Sequence, residues 1–383
     1  MIEKKLINLI RDIYPNKKDI LLHEPHFFND EKLLLGNCID RGYVSSAGEY
    51  LDKFKNKILT STNSKYVSLT SSGTAALHLC LLASNIERDD EIITQPFTFV
   101  ATINSILYTG AKPIFVDIDK DDFGISPEKL SEFLNKNTFL NKKGLCINKR
   151  SKRVIKAVIS CDLLGSAAKQ LDIKKICKKF NLIYISDSSE ALGIEYKKKH
   201  AGLYSDLAVL SFNGNKIITT GNGGAVFSNN KRVIEKINYL SSTSKMYHKY
   251  EFFHNHIGYN YRMSNINAAI GYSQIRHLDK IIIKKKRINN IYKNFFYEYN
   301  YKLFEVNKNI KSNFWLNLLM VNSAKNKNAI IKVLLKNNIY IRPSWFPICD
   351  LKFCKSFERY KIENTYKIYQ SLICLPSGVS DEI

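Results

Sequence analysis

Three short segments carry residue types that together could do chemistry. Lys216 closes Ser211-Phe212-Asn213-Gly214-Asn215-Lys216, just past an apolar run and ahead of Gly221-Asn222-Gly223-Gly224. A lysine amine placed there can form a Schiff base with an aldehyde cofactor. The glycines let the backbone turn tightly beside a flat ligand. One lysine among 58 lysines and arginines says little alone. Asp187 opens Asp187-Ser188-Ser189-Glu190, directly after the apolar LIYIS. Burying a carboxylate at a strand end is costly unless a positive group meets it. A protonated pyridine nitrogen would be such a group, and the pairing would keep the ring an electron sink. An acid in an ordinary strand-end turn fits the same residues. The third segment, Thr70-Ser71-Ser72-Gly73-Thr74-Ala75-Ala76, heads an apolar stretch. A hydroxyl-rich turn at a helix N-terminus offers N–H groups and hydroxyls to a phosphate, although serine and threonine are also common helix caps.

The elements that must position these residues alternate in type from about residue 66. YVSLTSS reads as a strand and GTAALHLCLLA as a helix starting at Gly73. EIITQP predicts a strand, Thr98 to Tyr108 a helix, and KPIFVDI another strand. Ser126-Pro127 opens a further helix with a capping serine and a proline at the first position. RVIKAVIS, LIYISDSS, LAVLSFN and GGAVFSN are more apolar runs rich in β-formers. Continuous apolar strands between helices predict a mostly parallel sheet covered on both faces. Site residues in such sheets gather at the carboxyl ends of strands, where all three segments fall. After Arg262 the pattern changes. Ser264 to about Tyr299 reads as one long helix, and NFWLNLLMV with KNAIIKVLLKNN as a smaller α/β unit. The expected division is an N-terminal segment of residues 1–40, placed with the smaller unit or not, a large domain of residues 41–280 and a small C-terminal domain of residues 281–383.

In this order and spacing the segments resemble the DegT/DnrJ/EryC1/StrS sugar aminotransferases, of pyridoxal 5'-phosphate (PLP) fold type I, the aspartate-aminotransferase-like α/β fold. The matching stretches are SSGTAALHL, DEIITQPFTFVATINSILYTGAKPIFVDID, DSSEALG, SFNGNKIITTGNGGAVFSN and GYNYRMSNINAAIGYSQ. LLHEPHFFNDE, CIDRGYVSSAGEYLDKF, IRPSWFP and LPSGVS resemble the legionaminic-acid and bacillosamine branch. The resemblance implies a large, mixed but mostly parallel sheet domain and a smaller C-terminal domain. It implies that Lys216 holds PLP and moves a proton, that Asp187 pairs with the ring nitrogen, and that Glu190 lies near the ring hydroxyl. Phe99 should stack on the ring. Ser72, Gly73, Thr74 and Ser211 should bind the phosphate, and Asn260 should reach it from the neighbouring subunit of a homodimer. Arg262 and Arg342 are candidates for substrate contacts or for local structure. The implied reaction moves an amino group from glutamate to C4 of a UDP- or GDP-linked 4-keto-6-deoxy sugar, for surface-glycan or nonulosonic-acid synthesis. Two other readings are a PLP-dependent sugar dehydratase, whose relatives carry histidine where this chain has Lys216, and a non-catalytic regulatory protein on the same fold.

Composition narrows the remainder. The 383 residues are 45% hydrophobic and 24% charged, ordinary for a globular protein long enough to bury a large core. The net charge of +23 raises nucleic acid, an anionic membrane or a polyanionic small substrate as partners. The excess is mostly lysine spread along the chain with abundant Asn, Ile and Tyr, a bias of AT-rich coding, so no nucleic-acid partner and no membrane insertion are expected. MIEKKLINLIRDIYP lacks the apolar core of a signal peptide, and a cytoplasmic protein is expected. The eight cysteines form no Cys-x-x-Cys pair, and His254 with His256 lacks a third ligand, so no metal is expected.

Overall fold

The computed structural model describes residues 2–299, 301–380 and 382–383. Among these, the strands form a ten-stranded, a four-stranded and a three-stranded sheet. The large sheet runs Tyr66–Thr70, Gly224–Ser228, Leu207–Ser211, Ile183–Asp187, Val154–Cys161, Glu91–Thr94, Lys112–Val116 and Arg359–Tyr360, with Cys146–Asn148 and Thr138–Leu140 attached off this path beside Val154–Cys161. From Leu207–Ser211 onward the neighbours are parallel. Gly224–Ser228 runs against both its neighbours, which gives Tyr66–Thr70 the direction of the parallel set. Thr70, Ser211, Asp187, Cys161 and Thr94 therefore end on one edge of the sheet.

The apolar runs become strands because helices cover them on both faces. Helix Gly73–Ala83 is buried on nearly every side, as its sequence GTAALHLCLLA requires. Its N-cap Ser72 accepts from the Ala75 N–H at 3.0 Å. Ser126 caps helix Pro127–Asn137 in the same way, with Pro127 in its first turn. No described helix is long and apolar enough to cross a membrane.

The stretch from Ser264 to Tyr299 is two helices rather than one, Asn265–Arg276 and Leu278–Glu298. His277 leaves helical geometry at φ −102°, ψ 4°. The N-terminal segment sets this break. Phe28 stacks on the His277 ring at 4.0 Å, and Asp30 pairs with Arg276 and lies 3.6 Å from His277. Periodicity carries no sign of contacts made by a segment some 250 residues away.

The four-stranded sheet, Lys302–Leu303, Asn317–Met320, Leu372–Leu375 and Arg342–Pro343, is antiparallel throughout. Leu6, Ile10 and Ile13 of helix Ile2–Ile13 are buried in its core with Tyr292, Leu319 and Leu334. Burial of each of these aliphatic side chains contributes roughly 1.5–3 kcal/mol. Helix Asp30–Asp40 instead packs against Asn265–Arg276. Two later segments return to the first unit: Arg359–Tyr360 joins the edge of the large sheet, and Ile310–Lys311 pairs with Glu195–Tyr196. We propose a domain division near residue 280 that assigns helix Ile2–Ile13 to the smaller unit and leaves these two returns as bridges.

Candidate active site

A cavity of about 320 Å³ opens at the carboxyl edge of the large sheet. Ser72, Gly73, Thr74, Phe99, Asp187, Glu190, Ser211 and Lys216 all line it. Residues spread over 145 positions of sequence thus meet because their strands end side by side. Asn260 is not among them. It is exposed, in an isolated bridge with Ser242. Arg262 also lies outside, held to the backbone and hydroxyl of Ser46, and Arg342 is exposed on an edge strand.

At one end, the first turn of helix Gly73–Ala83 brings backbone N–H groups to the cavity. The first N–H groups of a helix have no intrahelical acceptor, and the helix dipole adds positive potential there. The Ser211, Ser72 and Thr74 side chains stand beside that turn. The packing here is too tight for side chains. A Cβ on Gly73 would lie 2.8 Å from the Ser211 Cβ, and one on Gly224 would lie 2.6 Å from the Ser72 carbonyl. Glycine at both positions lets strand and turn close into an anion cradle.

Asp187 ends its strand with only 7% of its surface exposed. Its Oδ2 accepts from Thr102 Oγ1 at 2.7 Å, and its Oδ1 from the Ser189 N–H at 3.3 Å. Among the described residues no lysine, arginine or histidine pairs with it. A buried carboxylate with neutral donors only is a costly arrangement that a cationic ligand would relieve.

Lys216 lies in the loop between Leu207–Ser211 and Gly224–Ser228. The loop is pinned by the Lys216 N–H to Asn213 O at 3.0 Å and closed where the Phe212 N–H meets Gly223 O at 2.9 Å. Its Nζ bonds Glu190 Oε1 at 3.1 Å and sits 4.7 Å from the Trp315 ring centroid, a cation–π distance. Glu190 Oε2 accepts from the Leu164 N–H at 2.9 Å. Burial pushes the Glu190 carboxyl up from the ordinary carboxylate range, and the Lys216 charge opposes it. Trp315 is fixed in turn by its Nε1–H to Asn215 O at 2.8 Å. Lys216 is the one cationic side chain among the described residues lining the cavity.

Thr98, Trp315 and Trp345 line the cavity without having been singled out from sequence, and Thr102 stands behind Asp187. The tryptophans had a signal. The chain has only two, and both are here. Threonines within an apolar helix had none, because a packed threonine looks the same. Phe99 stands 54% exposed at the rim.

The donor set fits PLP. The anion cradle suits its phosphate, Asp187 its ring nitrogen, Lys216 its aldehyde carbon, and Phe99 and the tryptophans its ring. Glycine at 73, where a Cβ would intrude on Ser211, keeps the cradle open.

Comparison with known proteins agrees. The family described as the DegT/DnrJ/EryC1/StrS aminotransferase family matches residues 28–381. GDP-perosamine synthase of Escherichia coli O157:H7 is 33% identical over 346 residues, 90% of each chain. The UDP-4-amino-4,6-dideoxy-N-acetyl-beta-L-altrosamine transaminase of Campylobacter jejuni is 31% identical over 87% of this chain and 86% of its own. Among solved structures, Helicobacter pylori PseC, an aminotransferase involved in pseudoaminic acid biosynthesis, superposes with a TM-score of 0.83 at 27% identity, covering 94% of each chain.

Proposed function

The chain belongs to the DegT/DnrJ/EryC1/StrS aminotransferase family, PLP-dependent enzymes that act on nucleotide sugars, and from that premise we propose its particular reaction and assembly. The reaction is transfer of the amino group of glutamate to C4 of a UDP- or GDP-linked 4-keto-6-deoxy sugar, in the cytoplasm, by a homodimer. The observation that carries the cofactor chemistry is how the three acids lining the cavity are partnered. Glu190 holds the Lys216 amine and Asp162 is taken up by Gln170, Ser186, Ser188 and the Ala168 N–H, while Asp187, buried too, has two neutral donors and no cation among the described residues. The position of the amino group is supported by the Campylobacter jejuni relative, whose name specifies a 4-amino-4,6-dideoxy sugar.

PLP, when bound, supplies an aldehyde that carries the amino group and a ring that withdraws electrons. The chain does the rest. Lys216 Nζ would anchor the cofactor, and as the one base over the reacting carbons it would accept the proton from the donor α-carbon in the first half-reaction and give a proton to the sugar carbon in the second. Glu190 keeps Nζ aimed at the cavity. Asp187 holds a proton on the ring nitrogen. The helix turn at Gly73 with Ser72, Thr74 and Ser211 holds the phosphate. Trp315 covers Nζ and screens it from water. Lysine at 216 is incompatible with the dehydratase reading, and an intact acid and amine with the regulatory one. Glutamate should move the visible band of the purified protein. Among nucleotide-linked keto-sugars only 4-keto-6-deoxy substrates should move it back. If glutamate leaves the band unmoved, the donor is wrong; if other keto-sugars restore it equally, the acceptor is.

In the proposed homodimer Asn260 would reach the neighbour's phosphate. Its exposure outside its own cavity supports that role. An aspartate there would set a negative charge against the phosphate, where repulsion is poorly screened. Asn260→Asp and Lys216→Ala should each be inactive alone. Mixed under subunit exchange, they should regain activity, because one site of each hybrid carries neither defect. No recovery, with exchange confirmed independently, would remove Asn260 from the site.

A further inference from the structure

Asp187 is oriented by a residue buried behind the cavity. Thr102 lies in the first turns of helix Val100–Tyr108 and is 0% exposed. Threonines in helices commonly turn the hydroxyl onto a carbonyl one turn back. This one donates to Asp187 Oδ2 at 2.7 Å instead. A hydroxyl has a single proton. With that proton on Asp187, Thr102 must be the acceptor in its 2.9 Å contact with Thr98 Oγ1. The one Thr98 proton has two acceptors in reach, Thr102 Oγ1 at 2.9 Å and the sulfur of Cys161 at 3.2 Å, whose strand position is in register with Asp187. Among the described residues the second carboxylate oxygen receives the longer Ser189 N–H contact alone, at 3.3 Å.

We propose that Thr102 is a positioning residue for the ring nitrogen of PLP, an inference that rests on the cofactor reading above. Its hydrogen bond fixes Oδ2 and leaves Oδ1 to the cavity. Without the hydroxyl the carboxylate is free to turn away from the ring nitrogen, and the protonated ring loses its partner.

The test compares wild type, Thr102→Val and Thr102→Ser as full-length protein. PLP affinity is read from quenching of the two tryptophans, and the protonation of bound PLP from nitrogen-15 NMR of its labelled ring nitrogen. A hydrogen bond to a charged group predicts about tenfold or more weaker PLP binding in Thr102→Val. Its ring-nitrogen signal should move toward the unprotonated form, while Thr102→Ser matches wild type in both. If Thr102→Val does not fold, as judged by its thermal midpoint, Thr102→Ala makes the same deletion with less bulk. Wild-type affinity and signal in the hydroxyl-deleted protein would overturn the proposal. So would a serine variant as impaired as the valine one, which would assign the effect to the methyl group. Failure of wild type to take up PLP would instead overturn the cofactor reading.

Discussion

Lys216→Arg is expected to lose turnover by at least about a thousandfold, roughly 4 kcal/mol of transition-state stabilisation, while the protein stays folded. Lys216 does two things at once. It is the cation beside buried Glu190, and it is the one amine among the described residues lining the cavity. Arginine keeps the first role, since its guanidinium stays protonated and bonds carboxylates well. It cannot keep the second, because covalent attachment to an aldehyde needs a neutral primary amine. Lys216→Ala removes both and also leaves Glu190 buried without its cation, so it should melt at a lower temperature than Lys216→Arg. Absorbance and turnover of the purified variants check this. Loss of the visible band in both, with a higher melting temperature for arginine, is the expected pattern. Turnover of Lys216→Arg near the wild-type rate would end the assignment.

Asp187→Asn is expected to cost roughly a hundredfold in turnover, about 3 kcal/mol. The substitution keeps the shape, and the amide oxygen can take the hydrogen bond from Thr102. That turns the NH2 group toward the cavity, where it favours an unprotonated ring nitrogen and so a weaker electron sink. A rate unchanged from wild type would mean that another group protonates the ring. The defect should appear in turnover for both half-reactions, because each passes through proton transfer at a carbon that the ring must stabilise.

The sheet and the site differ in how far sequence exposes them. Apolar runs ending in Thr70, Asp187 and Ser211 predict strands whose ends could meet, and they do meet. Ser72 and Ser126 mark helix starts because capping is a local interaction. What is non-local leaves little trace. Arg359–Tyr360 is two residues that reach the edge of the large sheet, too short for any periodicity. The break at His277 depends on Phe28 and Asp30. Trp315 reaches Lys216 from 99 positions away, held by the Asn215 carbonyl. The assignment of Asp187 gained its strongest physical support from partners invisible in sequence, two neutral donors and no cation among the described residues.

The most direct test of the central claim is to follow the amino group itself. The purified protein is loaded with PLP and given nitrogen-15 glutamate with a UDP- or GDP-linked 4-keto-6-deoxy sugar, and the sugar product is examined by NMR. The label is expected on C4 of the sugar, with 2-oxoglutarate formed in equal amount and neither product made by Lys216→Arg. A sugar that reacts without gaining the label, or a labelled product made equally well by Lys216→Arg, would contradict it.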